Sequence, residues 1–349
     1  MTKSALIVGA GIGGLSAGCY ALMNGYSVRI LEMHARPGGL CTGWTRHGYT
    51  FDGCIHNLAG TSPDSGFHRV FEELGAVPET QMLPYREILQ VERVDGPPLT
   101  LHTDLTRLEA HMKTLFPEDA AAIANLIADA RRFAHIDIMG LGLQRWSERL
   151  KLVTALPMLV KYGRLTLGDY AKRFRNPFLR RAFPTLIYDW PKQSMLILLT
   201  FLGRCSVGDL GWPMGGSAEF ANRIAKRFHD LGGTIRYHAK VKSIIVENDA
   251  AVGVRLEDGS EERADIVVSN ANGRATIFDM LGGRYTSAAI RDYYAHPEDR
   301  IEMGVHVSLG LDRDLSGEPH ALLLPLQKPV MIAGEERDRV YLQIFGFDP

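Results

Sequence analysis

The chain has 349 residues, 46% of them apolar, enough for a large core and for about two domains. Lys and Arg number 39 against 40 Asp and Glu, so a net charge of −1 gives the whole molecule no electrostatic reason to seek nucleic acid. Four cysteines (Cys19, Cys41, Cys54, Cys205) show neither C-x-x-C nor zinc spacing, which argues against a disulfide framework, a structural zinc site and a dithiol reductase, and points to a reducing cytosol.

Residues 4–8 (SALIV) read as a short buried strand that runs straight into GAGIGGLSAG, so the apolar N-terminus is read as structure and not as an export signal. An apolar helix follows and stops at Asn24-Gly25; residues 27–32 form a second strand. This strand, helix and strand have the length of a parallel crossover unit. A helix is expected at 67–74, strands at 88–94 and 99–103 around Asp95-Gly96, and helices at 105–116 and 120–133. Residues 135–210 read mostly as helices. An amphipathic helix at 217–231 is stopped by Gly232-Gly233. Short strands are expected at 234–237, 241–246, 251–256 and 264–269. Apolar residues at 303, 305, 307, 309 and 311 alternate as in a half-buried strand. No apolar run reaches the ~20 residues that span a bilayer.

Gly9, Gly11 and Gly14 form G-x-G-x-x-G between a strand and a helix. The first allows the tight turn, the second lets backbone approach a pyrophosphate, and the third lets helix pack on sheet. The helix N-terminus offers unpaired N–H groups to phosphates. Glu32 ends the next strand, 18 residues after Gly14, where a carboxylate can bind both ribose hydroxyls. Its charge suits NAD or FAD and would repel the 2′-phosphate of NADP. Gly38-Gly39, Thr42 and Gly48 then match the GG-x-x-S/T-x5-G extension of many FAD enzymes. A longer cofactor needs such a loop running back past the pyrophosphate, and glycines permit the close approach.

This stretch resembles the phytoene desaturase-like flavoproteins, a group of carotenoid desaturases, carotenoid isomerases and retinol saturases. GYTFDGCIH (48–56) is similar to the family's F-D-x-G-x-H segment along the flavin, with one departure: Gly53 comes one place early and Cys54 stands where glycine is expected. The block 212–259 also resembles the family. It carries P-x-GG at Pro213, Gly215 and Gly216, and a strand at Val241 whose backbone meets the adenine in such enzymes. ADIVVSNAN (264–272) completes it. A second G-x-G-x-x-G for a nicotinamide cofactor is absent, because MGLGLQRW (139–146) has Arg145 in place of the third glycine.

The resemblance implies FAD as cofactor and an α/β fold: a Rossmann-like FAD-binding domain with a doubly wound parallel sheet, and an inserted α+β substrate domain. The expected division is 1–85 and 212–280 for the cofactor, 86–211 and 281–349 for the substrate. Relatives of this kind run to roughly 500 residues and carry a second flavin motif near the C-terminus. None is found before the sequence ends at VYLQIFGFDP, so a fragment, a truncated frame or a degenerate member is expected.

The implied substrate is a hydrophobic polyene or isoprenoid, dehydrogenated, hydrogenated or isomerised, with the protein mainly positioning the cofactor and excluding water. His56 is the one catalytic candidate, as proton donor or as a shaper of flavin electrostatics; a hydrogen-bonded structural histidine is the competing reading. Cys41 and Cys54 flank the flavin loop and are read as small buried fillers. From Arg145 to Arg181 ten basic residues oppose only Glu148 and Asp169, interleaved with leucines and valines. That pattern fits either a solvated helical face or a helix resting on an anionic membrane, and the implied substrate favours the membrane: a cytoplasmic protein, peripheral on the inner face of a membrane, is expected. An amine oxidase on the same fold, and a non-catalytic nucleotide-binding remnant, are the alternatives.

Overall fold

The computed structural model describes residues 2–77, 82–138, 140, 143, 146–187, 192–296, 305–332 and 334–346, without the side chains of 146–152 and 154. Two compact units interleave along the chain. Met1–Ile55, Phe71–Thr80 and Gly215–Gly310 form the first; His56–Val70, Gln81–Met214 and Leu311–Pro349 form the second.

The first unit is built on a four-stranded parallel sheet in the order Thr234–Arg236, Ser27–Leu31, Ser4–Val8, Ile266–Ser269. Residues 5–8 are buried, as a central parallel strand with both faces covered must be. The Ile12–Met23 helix makes the first crossover and packs on the Gly216–Asp230 helix, where Phe228 is fully buried. An antiparallel sheet of Val241–Glu247, Ala250–Leu256 and Glu261–Arg263 shares a core with the parallel one through Leu6, Val8, Leu31, Val241, Val254 and Leu256. A hairpin of Gly43–Arg46 and Tyr49–Asp52 turns at His47 and Gly48, both at positive φ (51° and 85°), the two-residue loop whose twist matches antiparallel strands.

In the second unit, Glu335–Gln343, Ala321–Ile332, Glu87–Val91 and Leu99–His102 form one sheet. It shares a core with the Leu105–Leu115, Ala120–Phe133 and Met195–Ser206 helices around Leu108, Phe116, Phe133 and Leu199. The Trp146–Arg164 helix joins it through Tyr162. A smaller sheet pairs Leu210–Pro213 with Leu58–Ala59 and Met82–Pro84. The fold is thus α/β in the first unit and α+β in the second. Among the described residues no helix is long and apolar enough to cross a membrane.

Three expectations differ from the structure. Residues 305–311 form no strand, and Val305, Val307 and Leu309 are 65%, 73% and 76% exposed; 303 and 304 lie outside the described residues. Alternation marks a face suited to burial, and here no ladder partner covers it. The long strand Ala321–Ile332 was not expected, because Pro325 and Pro329 lack ladder donors; the ladder is irregular between Pro325 and Val330. The units also divide differently from 1–85/212–280 and 86–211/281–349. Residues 56–70 join the second unit, where Leu58–Ala59 pairs with Leu210 and Gly211. Residues up to Gly310 join the first, where Tyr285 bonds Asp249 and Gly310 lies against the Tyr49 ring. In 139–146, Arg145 and most of its neighbours lie outside the described residues.

Candidate functional site

The two glycine motifs form one cradle in the first unit. Gly9 donates to the Leu31 carbonyl at 2.8 Å, and Gly11 begins the Ile12–Met23 helix with no side-chain cap and no acidic residue in the first turn. The first N–H groups of that helix have no intrahelical acceptor, so a positive end is left for an outside anion. A Cβ on Gly14 would stand 2.1 Å from the Gly9 carbonyl oxygen, so only glycine lets the helix start this close to the turn. The second loop rests on the first. Gly38 donates to the Ala10 carbonyl at 2.8 Å, and a Cβ on Gly39 would meet the Gly11 Cα at 3.2 Å. Gly38 has φ 113°, and a Cβ there would lie 2.3 Å from the Cys41 carbonyl, so this loop too admits no side chain.

Glu32 is buried, 5% exposed, and its carboxylate is oriented by backbone. Oε2 accepts from the Ala10 N–H at 2.7 Å, and Oε1 accepts from the His34 N–H at 2.8 Å. An ionised carboxylate accepts about four hydrogen bonds, so each oxygen keeps capacity for one hydroxyl, the pattern a vicinal ribose diol needs. Burial and the Glu32 charge together push the Tyr237 phenol up. Ala239 donates to the Glu32 carbonyl at 2.8 Å, which brings the start of Val241–Glu247 to this corner; Val241 is buried there. Gly9, Gly11, Gly14, Glu32, Gly38, Gly39 and Val241 therefore gather in one unit, with Thr42 at the end of the second loop. The uncapped helix end and the half-used carboxylate fit the pyrophosphate and ribose of a dinucleotide.

Sequence reading missed three side chains that hold this cradle. Asn270 lies over the first motif, its Oδ1 2.6 Å from where a Gly13 Cβ would stand. Asp52 caps the Gly216–Asp230 helix: Oδ2 accepts from the Ser217 N–H, and Oδ1 from the Ser217 hydroxyl at 2.7 Å and the Cys54 N–H at 3.0 Å. Ser217 in turn accepts from the Ile55 N–H at 2.7 Å. The F-D and P-x-GG segments are thus two halves of one cap, a pairing that no local spacing reveals. Gly53 donates to the Thr42 carbonyl at 2.9 Å, and a Cβ there would lie 2.9 Å from that oxygen, which accounts for glycine one place early. Cys41 is buried as expected. Cys54 is exposed, a correction to its reading as a buried filler; it lies just past the last hairpin pair.

His56 belongs to the second unit. Its Nδ1 hydrogen-bonds Gln343 Oε1, and its carbonyl accepts from the Tyr85 hydroxyl at 2.7 Å. Tyr85 stacks on His320 with ring centroids 4.3 Å apart, and burial holds the His320 imidazole down to about 4, so it is neutral at pH 7.

Residues 12–304 match the family described as flavin containing amine oxidoreductase. Over 290 residues the chain is 29% identical to the phytoene desaturase (neurosporene-forming) of Rhodobacter capsulatus, covering 80% of this chain and 54% of that protein. Over 292 residues it is 28% identical to the chloroplastic prolycopene isomerase of Daucus carota, covering 80% and 47%. The chain spans about half the length of the curated relatives it matches. Its fold is similar to the crystal structure of an oxidoreductase from Methanosarcina mazei, with a TM-score of 0.53 and 17% identity over 84% of this chain and 64% of that one. A dinucleotide cradle with a half-used carboxylate fits FAD, and with most of its length inside the match the chain belongs to the flavin containing amine oxidoreductase family.

Proposed function

We propose that this chain carries the FAD-binding region and part of the substrate region of an oxidoreductase that desaturates, saturates or isomerises a long conjugated or isoprenoid lipid. The observation that carries the reading is the joining of the two glycine loops beside the Glu32 carboxylate. Gly9, Gly11 and Gly14 hold the pyrophosphate at the helix end, and Glu32 takes the ribose hydroxyls. Gly38, Gly39 and Thr42 line the extended part of the cofactor, and the Val241 backbone meets the adenine. FAD, when bound, supplies the hydride acceptor or donor. Cofactor binding is assigned to the first unit and the lipid to the second.

His56 is assigned the handling of a proton, with its ring orientation set by Gln343. The Trp146–Arg164 helix is assigned to a membrane surface. Val153, Leu156 and Val160 lie three and four residues apart and are 67%, 56% and 46% exposed, with Lys161 and Arg164 in the last turn.

The test is conversion of a C40 polyene, dispersed in detergent, by the FAD-loaded protein under air. We expect a shift of the polyene absorption bands, slowed about tenfold or more in His56→Gln with FAD content unchanged. Peroxide release with a primary amine, and no change in any polyene, would overturn the reading in favour of amine oxidation.

A further inference from the structure

We infer that Cys41 and Cys54 form a peroxide-sensitive thiol pair that closes to a disulfide across the base of the hairpin. The argument begins with the two-residue turn. His47-Gly48 makes Arg46 and Tyr49 the first facing pair, and the register then runs Thr45 to Thr50, Trp44 to Phe51 and Gly43 to Asp52. The next facing residues are Thr42 and Gly53, joined by the Gly53 N–H to Thr42 carbonyl bond at 2.9 Å. One step further along the two strands, just past the end of the ladder, stand Cys41 and Cys54.

Facing pairs in an antiparallel ladder alternate between hydrogen-bonded and narrow, non-hydrogen-bonded positions. The Gly53 N–H to Thr42 carbonyl bond marks a bonded position, and continuing the alternation gives a narrow position at Cys41 and Cys54. Thr45 and Thr50 mark the same alternation, their hydroxyls 3.3 Å apart. Cα atoms in narrow pairs are about 4.5 Å apart, inside the ~4.4–6.8 Å that a disulfide spans. A hydrogen bond to Cys54, then burial, pushes the Cys41 thiol up, and the same bond brings Cys54 down to about 7. Cys54 is exposed while Cys41 is buried with its Sγ 3.3 Å from the Ser217 carbonyl. An accessible, acidic thiol beside a protected one is the arrangement of an attacking and a resolving cysteine. Cys19 and Cys205 are buried, and burial pushes the Cys19 thiol up to about 11 and that of Cys205 higher still.

The chemistry balances with hydrogen peroxide as oxidant. The Cys54 thiolate attacks one peroxide oxygen, the O–O bond breaks, and a sulfenic acid and hydroxide result. The Cys41 sulfur then attacks the Cys54 sulfur, and the sulfenic oxygen leaves as water with the Cys41 proton. One peroxide is reduced to two waters and two thiols lose two electrons. A reducing compartment restores the thiols, so the pair switches where a structural disulfide would not persist. The inference stands on the hairpin alone and is independent of the cofactor and lipid assignments.

The test is mass spectrometry of the purified protein after a stoichiometric pulse of hydrogen peroxide at pH 7. We expect a loss of two hydrogens, a cross-linked pair of peptides containing Cys41 and Cys54, and full reversal by dithiothreitol. Before oxidation, Cys54 should alkylate at least about tenfold faster than Cys19 or Cys205. In Cys41→Ser the Cys54 sulfenic acid should persist and be trapped by dimedone; Cys54→Ser should form neither product. Oxidation of Cys54 to the sulfinic acid without a link to Cys41, a link through Cys19 or Cys205, or equal alkylation of all four thiols would overturn the proposal.

Discussion

Glu32 holds backbone in place with the same carboxylate that is proposed to bind ribose. It ties the first glycine turn to the chain leaving the second strand, through Ala10 and His34, and keeps half of its acceptor capacity outward. Its position was legible in the sequence because the cause is local: a strand end at fixed distance from a glycine turn. Asp52 and Ser217 were not legible. They are separated by 165 residues, and nothing near either names the other. Asn270 escaped notice for the same reason, since its work is done on Gly13. His320 was passed over because a lone histidine carries no signal until its burial is known. Burial holds its folded-state pKa at about 4, against about 6.5 unfolded. Between those values the unfolded chain binds the extra proton, so stability is full above about pH 6.5 and falls as pH drops toward 4. The loss attributable to this one residue is on the order of 3 kcal/mol. Urea unfolding of the native protein and of His320→Gln between pH 4 and 7 should show the shallower pH slope in the variant. Equal slopes would mean the imidazole is not held neutral by burial.

Elements were most readable where one period governs them. The helices at Leu105–Leu115, Ala120–Phe133 and Gly216–Asp230 lie within a residue or two of expectation, each with an apolar stripe toward a core. Asp104 adds a cap signal for the first, accepting from Thr106 and Arg107. Strands were readable where burial enforces composition and opaque where prolines interrupt the ladder, as at Pro325 and Pro329. Residues 305–311 show the converse: a regular pattern with no partner strand. The Trp146–Arg164 helix is the element whose surface role most needs a test. Its exposed Val153, Leu156 and Val160 share one face with Pro157 between them, and Lys161 and Arg164 stand in the last turn, the features on which the proposed membrane contact rests. Sedimentation with vesicles should show binding to phosphatidylcholine containing phosphatidylglycerol and weaker binding in high salt. Leu156→Ser with Val160→Ser should reduce the bound fraction several-fold, since each buried aliphatic side chain contributes about 1.5–3 kcal/mol. Unchanged binding would assign this face to solvent.

At the scale of the whole molecule, the chain enters and leaves each unit more than once. The broad plan was legible because the two kinds of sequence differ: short strands and glycine turns at both ends of the first unit, helical periodicity through the middle of the second. The boundaries were not, because pairings such as Leu58–Ala59 with Leu210 and Gly211 connect residues far apart in sequence. The central claim is that the first unit carries an FAD cradle whose ribose contact is Glu32. The measurement that tests it most directly is the visible absorption spectrum of the purified protein after incubation with FAD and gel filtration, beside Glu32→Gln. The account predicts a retained flavin band near one FAD per chain, reduced at least several-fold in the variant, which keeps the shape of the carboxylate but loses its charge and half its acceptors. A folded native protein that retains no flavin, or a variant that retains as much as the native chain, would contradict it.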